Sequence, residues 1–509
     1  MKLNKVKNTK QNLIFGFLLK VYQILLPFVF RSVMVHTLGV EYLGLNSLFS
    51  SVLQVLNLAE LGVGSAMVFS MYRPIAEDDG DKICALMHLY RLYYRIIGGV
   101  ILVVGTLLTP FIPNLISGDV PEHLNIYALY LLNLGATVLT YWLFAYKNSV
   151  LQAHQQQSEI SKVTLISDTC KYLFQLIALI VFENYYFFVL SLLLSQALCN
   201  ILTAFISSKL YPQYQARGNL SKSERRIISR RISDLFTSKL GGVIVNSADT
   251  IVISAFLGLQ LLAIYQNYFY LISAVMSFIT IANNSVLAGI GNSMLTKSPK
   301  ENFTDFKTFT FIQFWIFGFC VCCLSSLLQP FMVLWMGPDL MLDGRAVTML
   351  CIYFFGYEYV MAMSVYKDAG GIWHEDRFRP LISGLTNIFL NLVLVRFIGL
   401  YGVLLSTILS IWLISAPWIT RNVFRLIFKE ERILGHLRDI CLYLLVTLLA
   451  VFLVNVLCHL IPGAGILSFL VKVLISCTVS NGLFLLIYFK HPCFWESVVL
   501  IKRMLARSK

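Results

Sequence analysis

The chain has 509 residues, of which 58% are hydrophobic and 13% charged, with a formal net charge of +14 and a mean hydropathy of +0.74. This is far more apolar than an ordinary soluble domain, and no stretch remains that could form one of useful size. The apolar runs are continuous over about 20 residues or more, which suits helices crossing a hydrocarbon core of about 30 Å and excludes the alternating pattern of an outer-membrane barrel.

In chain order, hydropathy predicts fourteen spans: 12–36, 41–72, 92–116, 125–146, 163–182, 185–207, 236–256, 259–292, 309–335, 346–366, 380–398, 400–420, 438–459 and 465–488. The two longest, 41–72 and 259–292, must tilt or emerge from the membrane. The first run is too long for a removable leader and has no small-residue cleavage site, so it reads as a retained span. Lys and Arg recur in every second loop, at 73–83, 147–162, 208–231, 293–308, 367–379, 421–438 and 489–509, with seven in 208–231 alone. The loops between them carry almost none, Arg345 excepted. Both termini are therefore expected on the cytoplasmic side. There the positive charge orients the helices and meets anionic lipid, so it does not point to nucleic acid. The eleven cysteines lie mostly inside spans and form neither a metal-ligand nor a disulfide pattern.

Two segments repeat. AYKNSVLQAHQ (145–155) is echoed by VYKDAGGIWHE (365–375) at an offset of 220, and TLGVEYLGLNSLF (37–49) by FLGLQLLAIYQNYF (256–269) at an offset of 219 from Leu38 to Leu257. The chain thus reads as two six-helix lobes of the same orientation, 1–215 and 216–432, followed by 433–509 with two further helices and a cytoplasmic tail. Parallel repeats of this kind build transporters that hold cargo between their halves. The Tyr-Lys…His segments themselves read as charged helix ends leading into the next span, with gating as the functional alternative.

The segments RSVMVHTLGVEYLGLNSLFSSVLQVLNLAELGVGSAM (31–67), NSADTIVISAFLGLQLLAIYQNYFYLI (246–272), SVLAGIGN (285–292) and HEDRFRPLISGLTNIFLNLVLVRFIGLYGVLLSTILS (374–410) resemble the bacterial polysaccharide or oligosaccharidyl-lipid flippases of the multidrug/oligosaccharidyl-lipid/polysaccharide exporter superfamily. The resemblance implies an all-α polytopic membrane protein with about fourteen transmembrane helices. Two pseudo-symmetric six-helix bundles like those of multidrug and toxin extrusion transporters would be joined by two C-terminal helices. It also implies a cargo, an undecaprenyl-pyrophosphate-linked oligosaccharide moved to the outer leaflet of the bacterial inner membrane for O-antigen, capsule or exopolysaccharide assembly. Membrane lipids, a polysaccharide polymerase and chain-length enzymes would be its partners. No cofactor is expected beyond a coupling H⁺ or Na⁺, and no Gly-x4-Gly-Lys-Ser/Thr pattern for nucleotide hydrolysis occurs.

Charged residues inside spans are costly and mark transport sites or buried pairs. Arg31, about five residues inside the outer end of the first span, and Asp249, near the corresponding point of the seventh, are the leading substrate-binding and ion-coupling candidates. A guanidinium matches phosphate oxygens with its planar donors, whereas a lasting ion pair or snorkelling is the structural alternative. Lys20, mid-span, and Arg91 and Arg95, one turn apart near the start of the third span, complete the cationic set. Asp168 and Lys171 share a helical face and can neutralise each other, while Glu60 and Glu358 are lone carboxylates suited to coupling or to a neutral core role. A lipid II flippase and a cation-coupled multidrug exporter of the same fold are the alternatives. A polysaccharide polymerase or ligase would be expected to show a larger external loop and a convergent acid/base pair.

Overall fold

A computed structural model describes residues 5–118, 120–121, 124–463 and 465–507. Among these there is helix and no strand. The elements run α1 (Lys5–Thr37), α2 (Val40–Leu56), α3 (Val63–Ala76), α4 (Gly80–Leu108), α5 (Ile126–Trp142), α6 (Asn148–Ala153), α7 (Gln157–Ile180), α8 (Tyr185–Leu210), α9 (Lys222–Leu257) and α10 (Leu259–Thr296). They continue as α11 (Pro299–Met336), α12 (Gly344–Ala369), α13 (Arg379–Ile398), α14 (Leu400–Leu409), α15 (Ala416–Leu426), α16 (Ile433–His459), α17 (Ile466–Tyr488) and α18 (Pro492–Arg507). Thirteen of the described helical segments are long and apolar enough to cross a membrane, or fourteen when α5 and the bent segment Ala145–Ala153 count as one. The protein is a multi-pass membrane protein.

Short polar caps start the helices where the loops end. Asp79 accepts from Lys82 N at 3.0 Å and Asn125 from Ala128 N at 3.0 Å. α9 and α11 open on full capping boxes, Ser221 with Glu224 and Ser298 with Glu301. α9 has 36 residues, about 54 Å at 1.5 Å per residue, so it outruns the hydrocarbon core. Its excess lies at the basic start, ahead of the apolar stretch Lys239–Leu257.

Contacts divide the chain into two compact units, 1–263 and 264–509. In the first, α1 packs on α7, α7 on α8, α5 on α8 and on α4, and α2 on α9. In the second, α11 is central, packing against α12, α16, α17 and α18, while α13 packs on α14. Aromatic side chains fill that second core: Phe306 meets Phe303, Phe424, Phe428 and Tyr366 with ring centroids 4.8–6.0 Å apart. Large apolar residues such as Leu107, Phe397 and Leu486 stand exposed on the span surfaces, where acyl chains are their natural neighbours.

The first repeat is visible in the backbone. Gly39 (φ 119°, ψ 164°) joins α1 to α2 and Gly258 (φ 91°, ψ 170°) joins α9 to α10. Each glycine N–H bonds back to its preceding helix, to Met34 O at 3.2 Å and to Ile253 O at 3.1 Å. Both conformations are open to glycine and costly for a residue with a Cβ. The second repeat diverges. After α5 the chain bends by 47° through Phe144, at φ 56°, into the one-turn helix Ala145–Lys147 and α6, whereas α12 runs unbroken through Tyr366 and Lys367.

Expected span 41–72 is also interrupted. α2 gives way to a 3₁₀ turn, Asn57–Glu60, and a left-handed Gly62 before α3 resumes. Span 259–292, by contrast, is a single helix of 38 residues, so only this one of the two long runs keeps its length unbroken.

Candidate functional site

The two breaks in the first unit, at Asn57–Gly62 and at Phe144–Lys147, flank one cavity of about 380 Å³. Its wall is predominantly polar, with Glu60, Ser65, Tyr90, Tyr94, Asn148 and Gln152 among its residues. The helix interruptions place polar groups there because backbone and side chains at a break face a recess instead of the i→i−4 ladder. Tyr94 donates to Glu60 Oε1 at 3.2 Å and accepts from Tyr90 at 2.5 Å, which forms a hydroxyl chain ending on the carboxylate. Tyr141 donates to Asn57 Oδ1 at 3.0 Å across the first break.

Gly64 makes this approach possible. A Cβ there would lie 3.1 Å from both Glu60 Oε1 and the Tyr90 hydroxyl. Lys239 of α9 reaches Ser65 Oγ at 3.3 Å and acts electrostatically on Glu60. The cavity therefore carries a carboxylate with an ammonium nearby. On the wall, Asn148 Oδ1 is buried without a hydrogen-bond partner.

The second unit holds a different cavity, of about 680 Å³, between α11, α12, α16 and α17. Its walls are mostly apolar, with Val321, Val347, Phe355, Trp412, Leu444 and Val451 among them. Polar groups gather towards the end where α16 stops and α17 starts: Ser325, Asn455, His459 and Lys472. Asn455 donates to Ser325 Oγ at 3.0 Å. Trp412 reaches this wall from a π-helical turn, Ser410–Ser415, and stacks on Tyr359 with ring centroids 6.3 Å apart. Such a turn inserts an extra residue and re-aims side chains, and it is frequent at functional sites.

Of the residues singled out in the sequence, Glu60 lies in the polar cavity. Arg91 lies on the same helix as Tyr90 and Tyr94, its guanidinium 6.0 Å from the Tyr146 ring. Arg95 is exposed, and its carbonyl accepts from Trp142 Nε1 at 3.2 Å. Asp168 pairs with Lys171 at 2.7 Å and also accepts from Gln23 Nε2 at 3.2 Å. Lys20 and Arg31 are half-buried on α1, and Asp249 is buried on α9. Glu358 is 0% exposed on α12, and neither of its carboxyl oxygens has a hydrogen-bond partner.

Sequence reasoning did not single out Tyr90, Tyr94 or Lys239, and Asn148 entered it only as part of the repeated segment 145–155. The signal that could have found the site is LAELGVGSA (58–66), an acid followed by two glycines inside an apolar span. Among the described residues no cluster of three or more His, Cys, Asp or Glu could hold a metal.

Solved structures place the fold. A lipid II flippase, MurJ, in an inward closed conformation superposes with a TM-score of 0.69 at 15% identity, covering 94% of this chain and 99% of that one. A mutant form of the Vibrio cholerae MATE transporter VcmN gives 0.58 at 14% identity, with 84% and 98% covered. A MOP superfamily transporter from Pyrococcus furiosus gives 0.53 at 13% identity, with 82% and 96% covered. At these identities the likeness is one of fold, and that fold is the one shared by MurJ and the MATE transporters. No curated protein sequence matches the chain. Residues 9–288, more than half of the chain, match the family model described as "Polysaccharide biosynthesis protein", and the chain belongs to that family.

Proposed function

We propose that this protein is a flippase for lipid-linked oligosaccharides, moving undecaprenyl-pyrophosphate-linked repeat units from the cytoplasmic to the outer leaflet of a bacterial inner membrane. The observation that carries this reading is that the first unit holds a predominantly polar cavity around Glu60 and the second unit an apolar one, polar at one end with Lys472, Asn455 and His459. An amphiphile with an isoprenoid tail and a sugar head needs both kinds of surface. Family membership and the transporter fold support the same conclusion.

Movement of cargo by alternating access would draw on an H⁺ or Na⁺ gradient, with Glu60, Glu358, Asp168 and Asp249 as the carboxylates able to take part. Arg31, Lys20, Arg91 and Arg95 would attract the pyrophosphate. With the orientation expected from the positive-inside pattern, the bend at Phe144 and the start of α4 would face the cytoplasm, the side from which such a cargo would be loaded. A polymerase and chain-length enzymes would act next.

The test is leaflet-resolved lipid analysis of a deletion strain. Undecaprenyl-linked oligosaccharide accumulating on the cytoplasmic leaflet, with surface polysaccharide lost and both reversed by the wild-type chain, supports the reading. Units that reach the outer leaflet and stay unpolymerised contradict it and favour a polymerase or ligase.

A further inference from the structure

We propose that the polar cavity of the first unit is a saccharide subsite that holds one or two neutral sugar residues of the cargo by their hydroxyl groups. The inference rests on the lipid-linked-sugar reading above and adds where, and by what chemistry, the head group is gripped. A cavity of about 380 Å³ lies in the lower part of the range of small-ligand sites, about 300–1,000 Å³. It is far roomier than a bare cation needs. Its polar wall would also leave an isoprenoid chain facing groups that have to stay hydrogen-bonded.

Charge argues further. Lys239, which reaches Ser65 Oγ at 3.3 Å, acts electrostatically on Glu60, so the site carries charge of both signs. What the site offers in excess is acceptors: the Glu60 carboxylate and the buried, unpartnered Asn148 Oδ1. Sugar hydroxyls supply the matching donors. The rings of Tyr90 and Tyr94, tilted with centroids 4.3 Å apart, are buried against each other and hold their hydroxyls in the polar chain that ends on Glu60. Carboxylate, amide and phenol hydroxyls together suit the hydroxyl-rich edge of a polyol.

The test uses the full chain in lipid nanodiscs, with saturation-transfer NMR on methyl glycosides of a neutral hexose and an N-acetylhexosamine. The expected result is saturation of the pyranoside protons by the wild type. Affinity should fall about tenfold in Glu60→Leu and in Asn148→Leu, the scale of one lost hydrogen bond to a charged or buried partner. Leu467→Ala, on an exposed surface, should bind as wild type. Tyr94→Phe serves as the milder probe if Glu60→Leu does not fold, and it should weaken binding severalfold.

No glycoside binding by a folded wild type overturns the subsite, as does equal binding by wild type and all three cavity variants. If glycosides bind as expected but lipid-linked units do not accumulate inside the deletion strain, the subsite stands and the flippase reading falls. If the wild type flips but binds no glycoside, the subsite falls and the flippase reading stands.

Discussion

At the offset of 219 residues, Gly64 and Tyr94 of the first unit correspond to Asn283 and Gln313 of the second. In the first unit the missing side chain at Gly64 lets Glu60 and the Tyr90–Tyr94 hydroxyl chain converge on an open polar cavity. In the second, Gln313 Nε2 donates to Asn283 Oδ1 at 2.7 Å, and both side chains are buried. The helices differ in the same sense: the span holding Glu60 is interrupted at Asn57–Gly62, while α10 is continuous. A repeat can thus preserve helix order and hinge glycines while one glycine and one helix break decide whether polar groups face a ligand space or each other. The second unit has its cavity elsewhere, against the two helices added after the repeat.

The largest expected effect concerns Glu358, whose position in the second unit is sealed. Glu358→Lys places an unpaired cation in that core and should cost about 3–5 kcal/mol. It should be read as loss of membrane-inserted protein and a large drop in thermal midpoint, whereas Glu358→Gln should insert normally. Equal stability of the two variants would show that the site is wetter than its burial indicates.

Next comes Gly64→Leu, which fills the first cavity. Protein abundance should fall modestly and complementation of surface polysaccharide by at least tenfold, because the added side chain occupies the space in front of Glu60 and Tyr90. Full complementation would separate the cavity from transport.

The amide pair is a subtler comparison. Asn283→Leu alone leaves Gln313 without its partner and should cost about 1–3 kcal/mol, whereas the double variant Asn283→Leu/Gln313→Leu should recover most of that loss. Additive losses in thermal unfolding would contradict the pairing.

The smallest effect lies at the second repeat. His154 is buried, donates from Nδ1 to Val150 O at 2.9 Å, and packs with tilted rings on Tyr211 and Tyr214, their centroids 4.2 and 5.6 Å away. Its counterpart His374 is exposed. Burial holds the His154 imidazole below its ordinary pKa of 6.5. The unfolded chain then binds the extra proton more readily, so stability is full above pH 6.5 and declines as pH falls below it. His154→Gln should flatten that decline between about pH 7 and 5, while His374→Gln should leave it unchanged.

Much of the fold is legible in the sequence because its signals are local. A run of about 20 apolar residues is a span wherever it packs, and Asp79, Asn125, Ser221 and Ser298 announce helix starts. The glycine hinges stand out in the 37–49 and 256–269 repeat because no other residue is easy there. The helix break at Asn57–Gly62 is obscured since hydropathy averages over a window and does not register a 3₁₀ turn. The cavity is harder still: Tyr94 lies 34 residues from Glu60, and Lys239 lies 174 from Ser65. No local pattern links them. The amphipathic α18 reads in the sequence as a tail, although Thr308 donates to Glu496 across 188 residues and Trp315 stacks on Phe494 to hold it against α11.

The measurement that tests the central claim most directly is flipping by the purified chain in liposomes. Undecaprenyl-pyrophosphate-linked oligosaccharide would be loaded symmetrically and its outer-leaflet share followed with an impermeant glycosidase. Under an imposed H⁺ or Na⁺ gradient, cleavage should pass the half accessible without protein and approach completion, and Gly64→Leu should remove this effect. Cleavage that stops at half with folded wild-type protein under both gradients would contradict the claim.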